Sequence, residues 1–107
     1  MNTQKEGRTT AIVAYITIVG SLIAITMNVE PKNTFARFHL RQAFGIHLMY
    51  HGLAIVLTFA EIVAASFWLF ITYSVLLVFG VYGAVNLKVR PIPVIGAYFQ
   101  KWFTFIQ

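Results

Sequence analysis

Phe35-Ala36-Arg37-Phe38-His39-Leu40-Arg41-Gln42-Ala43-Phe44 runs without a break into an apolar stretch. Two arginines, a histidine and a glutamine therefore stand at the start of what the pattern makes a membrane helix. At about 100° per residue, Phe35, Phe38, His39 and Gln42 share one side, with Arg37 and Arg41 opposite. Apolar runs lie on both sides of this stretch, and the rest of the chain reads as membrane spans fitted around it.

Composition supports that reading. Of 107 residues, 59% are hydrophobic and 10% charged, against about 25% charged in ordinary globular domains. A soluble chain this small has too high a surface-to-volume ratio to hide so much apolar surface, so lipid is the expected solvent. The net charge of +5 sits at the ends of apolar runs, where cations meet headgroups. The expected partners are thus the bilayer and other membrane subunits or a second copy, not nucleic acid. With no cysteine there is no disulfide, thiol nucleophile or thiolate metal site to consider.

Taken in order, residues 10–27 form a first apolar run close to the roughly 20 residues that cross a bilayer. A signal peptide is the rival reading, but the core is long and no small-x-small cleavage site follows, so a retained span is expected. Thr10, Ala14, Thr17, Ser21 and Ala24 make a small-residue stripe on it, suited to helix packing in lipid. Pro31 ends regular structure in the loop that follows, and Asn33 or Thr34 can cap the next helix. A second span is read at 42–60. A turn near Glu61–Ser66, lacking Gly and Pro, leads to a third at 67–87, with a seam of Ser66, Tyr73, Gly80, Gly83 and Ala84. Lys88, Arg90, Pro91 and Pro93 stop it.

Residues 95–107 are too short to cross. Ile95, Tyr98, Phe99, Trp102, Phe103 and Ile106 gather on one face, with Gln100, Lys101, Thr104 and Gln107 on the other. The pattern predicts an amphipathic helix lying in the interface, with Tyr98, Lys101 and Trp102 at headgroup level. The fold class is then all-α and polytopic, with three membrane-spanning helices plus this interfacial one. Three spans put Lys5 and Arg8 beside the Glu61 turn and the remaining cations on the other side. The positive-inside bias predicts an outer N-terminus and a cytoplasmic C-terminus.

Two motifs carry a family resemblance. The opening stretch is similar to an aromatic-Arg-Phe-His-x-x-Gln-small signature, and Ala84-Val85-Asn86-Leu87-Lys88-Val89-Arg90-Pro91-Ile92-Pro93-Val94-Ile95-Gly96 to a Pro-apolar-Ile-Gly ending. Together, in this order and at this distance, they resemble the bacterial relatives of the chloroplast inner-envelope protein-import component, the small multi-spanning Tic subunit. The resemblance implies a helical protein of the bacterial inner membrane and, in the plastid members, a part in precursor translocation. Arg41, His47 and His51 stand outside that signature.

His47, Tyr50, His51, Thr58 and Glu61 fall within a stripe of about 100° on the second span. Three readings compete for it. The His47/His51 pair has the reach of a bis-imidazole metal site; the stripe could relay protons or line a polar pore; or neutral histidines could bond Tyr15, Tyr73, Asn86 or a carbonyl of another helix. The last is favoured, since no third ligand stands at helical spacing. Arg37 and Arg41 are read as snorkelling anchors that lysine could replace, or as a planar grip on a phosphate or carboxylate. His39 and Gln42 should bond a neighbouring helix or the Pro91–Gly96 segment, because hydrocarbon leaves such groups unpaired. No HExxH, paired carboxylate, nucleophile elbow or phosphate-cradling loop is present. A non-enzymatic subunit or assembly factor of a membrane complex, without cofactor or metal, is the expected function. A small oligomeric channel or transporter using the His/Glu stripe is the alternative. Arg37, His39, Arg41, Gln42, His47, His51 and Glu61 are the candidate packing or partner-contact residues.

Overall fold

The computed structural model describes residues 3–106; Met1, Asn2 and the Gln107 of the tail's polar face lie outside them. Among the described residues the chain is all-helical: α1 (Thr3–Ile16), α2 (Ile18–Met27), α3 (Thr34–Phe59), α4 (Val63–Val85) and α5 (Gly96–Trp102). Two of these, α3 and α4, are long and apolar enough to cross a membrane. The three-span expectation is corrected at residues 10–27, where the first apolar run is two helices.

The break falls at Thr17, whose backbone is extended while its hydroxyl accepts the Gly20 N–H at 3.0 Å and caps α2. Ile16, Thr17, Ile18 and Val19 are all β-branched, which weakens helix propensity at this point. The chain then folds back on itself. Ser21 donates its hydroxyl to the Ala14 carbonyl at 2.6 Å, although seven residues of straight helix span about 10 Å. Gly20 runs so close to the Val13 carbonyl that a Cβ there would collide with it.

The far ends agree. Gly7 of α1 packs against Asn33 and Ala36 at the start of α3, and Asn28, at the end of α2, holds Asn33 through both its amide atoms. A straight helix would set Gly7 and Asn28 about 31 Å apart. Hence α1 and α2 form a helical hairpin whose two open ends lie together and whose tip reaches the level of His47. The Thr10–Ala24 stripe is split accordingly: Ala14, Ser21 and Ala24 are buried, and Thr17 is the exposed corner.

Helix α4 returns antiparallel to α3, with Tyr73 opposite His47 and Lys88 opposite His39. The turn between them is tighter than the sequence suggested. Glu61 takes a left-handed conformation (φ 58°), and Glu61 and Ile62 donate to the Thr58 and Leu57 carbonyls, a Schellman ending built without glycine. Leu87 ends α4 in the same way. Asn33 caps α3 by accepting the Ala36 N–H at 2.9 Å.

The tail is docked rather than free. Helix α5 packs on α3 alone, with the Phe99 ring over Gly45 and Phe103 edge-on to Phe44. Phe99 and Ile106 are buried, while Tyr98, Trp102 and Phe105 stay exposed. The hairpin, the tail and the loop after α4 therefore all crowd the first half of α3. No residue from 48 to 79 is buried. The other half of the molecule is a bare two-helix hairpin, and the whole measures 51 × 23 × 21 Å.

Candidate functional site

The crowded half is held by polar side chains from α3. Every α3 residue that is buried lies between Phe35 and His47, and His39, Gln42 and His47 are among them. His39 is fully buried, ringed edge-on by Phe35, Phe38 and Tyr15. Its Nε2 sits 2.7 Å from the Lys88 carbonyl and its Nδ1 2.6 Å from the Tyr15 hydroxyl. A carbonyl only accepts, so Nε2 carries the proton and the Tyr15 hydroxyl donates to Nδ1.

Gln42 completes this knot. Its amide nitrogen donates to the Tyr15 oxygen at 3.0 Å, and its carbonyl accepts the Ile92 N–H at 2.9 Å. That N–H is the sole backbone donor between Pro91 and Pro93. Five groups are thus tied together across α1, α3 and the loop after α4: the Tyr15 hydroxyl, the His39 ring, the Gln42 amide, the Lys88 carbonyl and the Ile92 N–H. The two motifs that carried the family resemblance are the two halves of this contact.

His47 repeats the design one level deeper. Nε2 donates to the Ala14 carbonyl at 3.0 Å, and the Tyr73 hydroxyl donates to Nδ1 at 2.7 Å. Helix α1 ends at Ile16, so the Ala14 carbonyl has no partner within its helix; His47 and Ser21 supply two. Gly80 lets the Tyr15 ring lie flat against α4, where any Cβ would collide. Sequence reasoning named Tyr73 and a carbonyl among the partners of His47, as found. It offered Tyr15 to His47 or His51 rather than as the hub joining His39 to Gln42, and it did not anticipate Ser21 and Asn28 as locks of a hairpin. The polar residues at Ser21 and Asn28, near the end of an otherwise apolar run, were the available signal.

Arg41 makes a different contact from either reading of it. Its Nε and two terminal nitrogens donate to the carbonyls of Ile106, Gln100 and Thr104 at 3.1, 3.4 and 3.3 Å. These carbonyls lie at or beyond the end of α5, where helical partners run out. The planar fork grips the chain's own tail, and Gln100 returns a bond to the Phe38 carbonyl at 2.8 Å. The Arg37 side chain makes no hydrogen bond among the described residues. Tyr98, Lys101 and Trp102 form the exposed side of the tail.

The His47–Glu61 stripe is brought together only in part: Thr58 and Glu61 line one open surface pocket of about 320 Å³, and His51 and Thr58 another of about 240 Å³. His47 is buried and bonded, whereas His51 and Glu61 are exposed, and Glu61 belongs to the turn. A half-open space between α3 and α4, beside Tyr50 and Tyr73, is about 20 Å³, room for about one water. Among the described residues no three His, Cys, Asp or Glu cluster as metal ligands, and no buried side-chain polar atom lacks a hydrogen bond. Compared with known proteins, the chain matches no family model, no curated protein and no solved structure.

Proposed function

We propose that this is an integral membrane protein of the bacterial inner membrane, acting as a non-enzymatic subunit or assembly factor of a membrane complex, in the manner of the import components it resembles. In this reading α3 and α4 cross the bilayer and the α1–α2 hairpin enters it from one side to mid-depth. Irregular backbone at that depth is tolerated only where protein satisfies it, which is the task His47 and Ser21 perform at the hairpin tip.

All eight Lys and Arg residues lie at the crowded end, and Glu61 stands alone among charged residues at the other. The positive-inside bias then makes the crowded end cytoplasmic, with α1, the Pro31 loop and the tail on the same side. An outer N-terminus is given up along with the third span.

The observation that carries the reading is that, among the described residues, the buried polar side chains Ser21, Asn28, His39, Gln42 and His47 are all consumed in joining α1, α2, α3, α4 and the loops that follow α2 and α4. Among the described residues none of them is left without a hydrogen bond for a substrate or ion to complete. Such a molecule presents surfaces rather than a reaction centre. Carbonate-washed membranes, mild-detergent extraction of a tagged chain and mass spectrometry test it. The chain should stay in the membrane pellet and elute as a stoichiometric assembly. Release by carbonate would overturn the membrane assignment, and ion conduction by the purified chain in liposomes would overturn the subunit assignment.

A further inference from the structure

On the bare half of the molecule the small hydroxyl side chains and His51 behave differently. Thr58, Ser66, Thr72 and Ser74 each donate their hydroxyl to the carbonyl four residues back, at 2.8 to 3.0 Å, so none of them asks anything of its surroundings. The His51 side chain makes no hydrogen bond among the described residues. Its ring lies edge-on to the rings of Tyr50 and Tyr73, and it is exposed. It lies one turn beyond His47, which marks the depth of the hairpin tip, and two turns short of the end of α3. An ionisable group at such a depth normally faces protein or a water-filled space.

Next to it, Gly52 is exposed, and a Cβ there would meet nothing within 4 Å. The other glycine of α3, Gly45, is already filled by Phe99, as Gly7 is by Asn33, Gly20 by Val13 and Gly80 by Tyr15, while Gly83 of α4 is buried with ordinary contacts to His39 and Lys88. Gly52 is therefore the point on α3 where another backbone could come close. Leu48, Ile55 and Phe59 continue this exposed face at helical spacing, on the side of α3 away from the Tyr50–Tyr73 stack. No charged residue stands between Gln42 and Ala60.

We propose that a second copy of this chain docks along this face of α3, related by a two-fold axis, with the helices crossing at Gly52 and the two His51 side chains bonded to each other. The chemistry selects a second copy. A neutral imidazole carries one donor and one acceptor, so it is its own complement. An uncharged face does not repel its duplicate, and a two-fold interface requires a self-complementary patch. A small residue at the crossing lets two backbones pack where lipid supplies no hydrophobic drive. The inference rests on the membrane assignment above and names the partner left open there.

Because the chain has no cysteine, single cysteines report on the interface directly. Oxidation of native membranes should give disulfide-linked dimer with Leu48→Cys and with Ile55→Cys, and none with Val78→Cys on the exposed side of α4. In the Ile55→Cys background, His51→Leu should lower the association about tenfold, the scale of one interhelical hydrogen bond in lipid. His51→Gln should retain it, since an amide is also donor and acceptor. Gly52→Ile should abolish the cross-link by holding the helices apart. Equal cross-linking at all three cysteine positions, or none at Leu48 and Ile55, would overturn the dimer. So would a different protein captured at Ile55→Cys, although the subunit assignment would survive that result. Carbonate extraction of the same membranes separates the two failures: an unlinked chain that stays in the pellet removes only the dimer.

Discussion

The Nε2 of His47 lies 3.0 Å from the carbonyl oxygen of Ala14, on a different helix thirty-three residues away. That carbonyl is free because α1 stops two residues later, at a corner in the middle of an apolar run. A helix that ends inside hydrocarbon leaves carbonyls that neither lipid nor the helix can satisfy. His47 therefore acts as a cap supplied from outside, while its other nitrogen ties the same point to Tyr73 of α4.

His47→Leu should uncouple these helices. It leaves the Tyr73 hydroxyl without its acceptor and the Ala14 carbonyl with Ser21 alone, at a cost of about 1–3 kcal/mol for a buried unpaired group. His47→Gln keeps a donor and an acceptor and should lose less. Thermal unfolding in mild detergent ranks the variants; equal midpoints for Leu and wild type would remove the capping role.

Tyr15→Phe deletes one oxygen shared by His39 and Gln42. It changes almost no volume, so packing over Gly80 is kept and the effect isolates the hydrogen bonds. We expect a loss of about 1–3 kcal/mol and faster proteolysis of the loop around Ile92, because Gln42 is then free to swing away from it. A His39→Leu, Gln42→Leu double variant should be at least as damaging, leaving the Lys88 carbonyl and the Ile92 N–H unpaired. If that variant kept wild-type protease resistance, the contact would be incidental to the fold.

The second and third apolar runs were legible because their signals are local: length, the Asn33 cap, and the prolines after Arg90. That Gln42 should reach a neighbouring helix or the Pro91–Gly96 segment was also readable, since a buried amide needs partners, and it reaches both, at Tyr15 and Ile92. The hairpin was not. Its corner has no Pro, and Thr17 is as plausible on a helix stripe as at a cap; only the pairing of Ser21 with Ala14 and of Asn28 with Asn33 reveals the fold-back. Arg41 misled for a related reason. An arginine at a span boundary is usually an anchor, and nothing local says that three spent carbonyls of the tail will come to lie beside it.

Arg41→Lys tests that last point. A lysine keeps the charge and reaches headgroups, but it cannot hold three carbonyls spread around a planar fork. The tail should detach, read as a change in Trp102 fluorescence and earlier cleavage after Lys101. Arg37→Lys, one turn earlier and without a hydrogen bond to lose, should be silent. An Arg41→Lys variant indistinguishable from wild type would return this residue to the role of a simple anchor.

Val94 is exposed and holds φ at 73°, a region that a β-branched residue rarely enters. Gly96, two residues on, packs against Pro91 so closely that the loop has little freedom to relax. Val94→Asn, with a residue that tolerates the left-handed region, should stabilise the protein by about 1 kcal/mol. A lower unfolding midpoint would mean that the valine makes a contact outweighing its strain.

Topology separates the hairpin from a full span most directly. A crossing α1–α2 segment would put Glu6 on the same side as Glu61; a hairpin puts it with Lys32 and Lys101. Single cysteines at these four positions, and one at Thr17, can be probed with a thiol reagent that does not cross membranes. In sealed right-side-out vesicles only Glu61→Cys should react. In inverted vesicles Glu6→Cys, Lys32→Cys and Lys101→Cys should react and Glu61→Cys should not. Thr17→Cys, at the hairpin tip and level with His47, should stay unlabelled from both sides until detergent is added. The pattern does not depend on the dimer, because none of these positions lies on the outer face of α3. Labelling of Glu6→Cys together with Glu61→Cys would mean that the first apolar run crosses the bilayer. The bond between His47 and Ala14 would then have no place in the membrane-embedded protein.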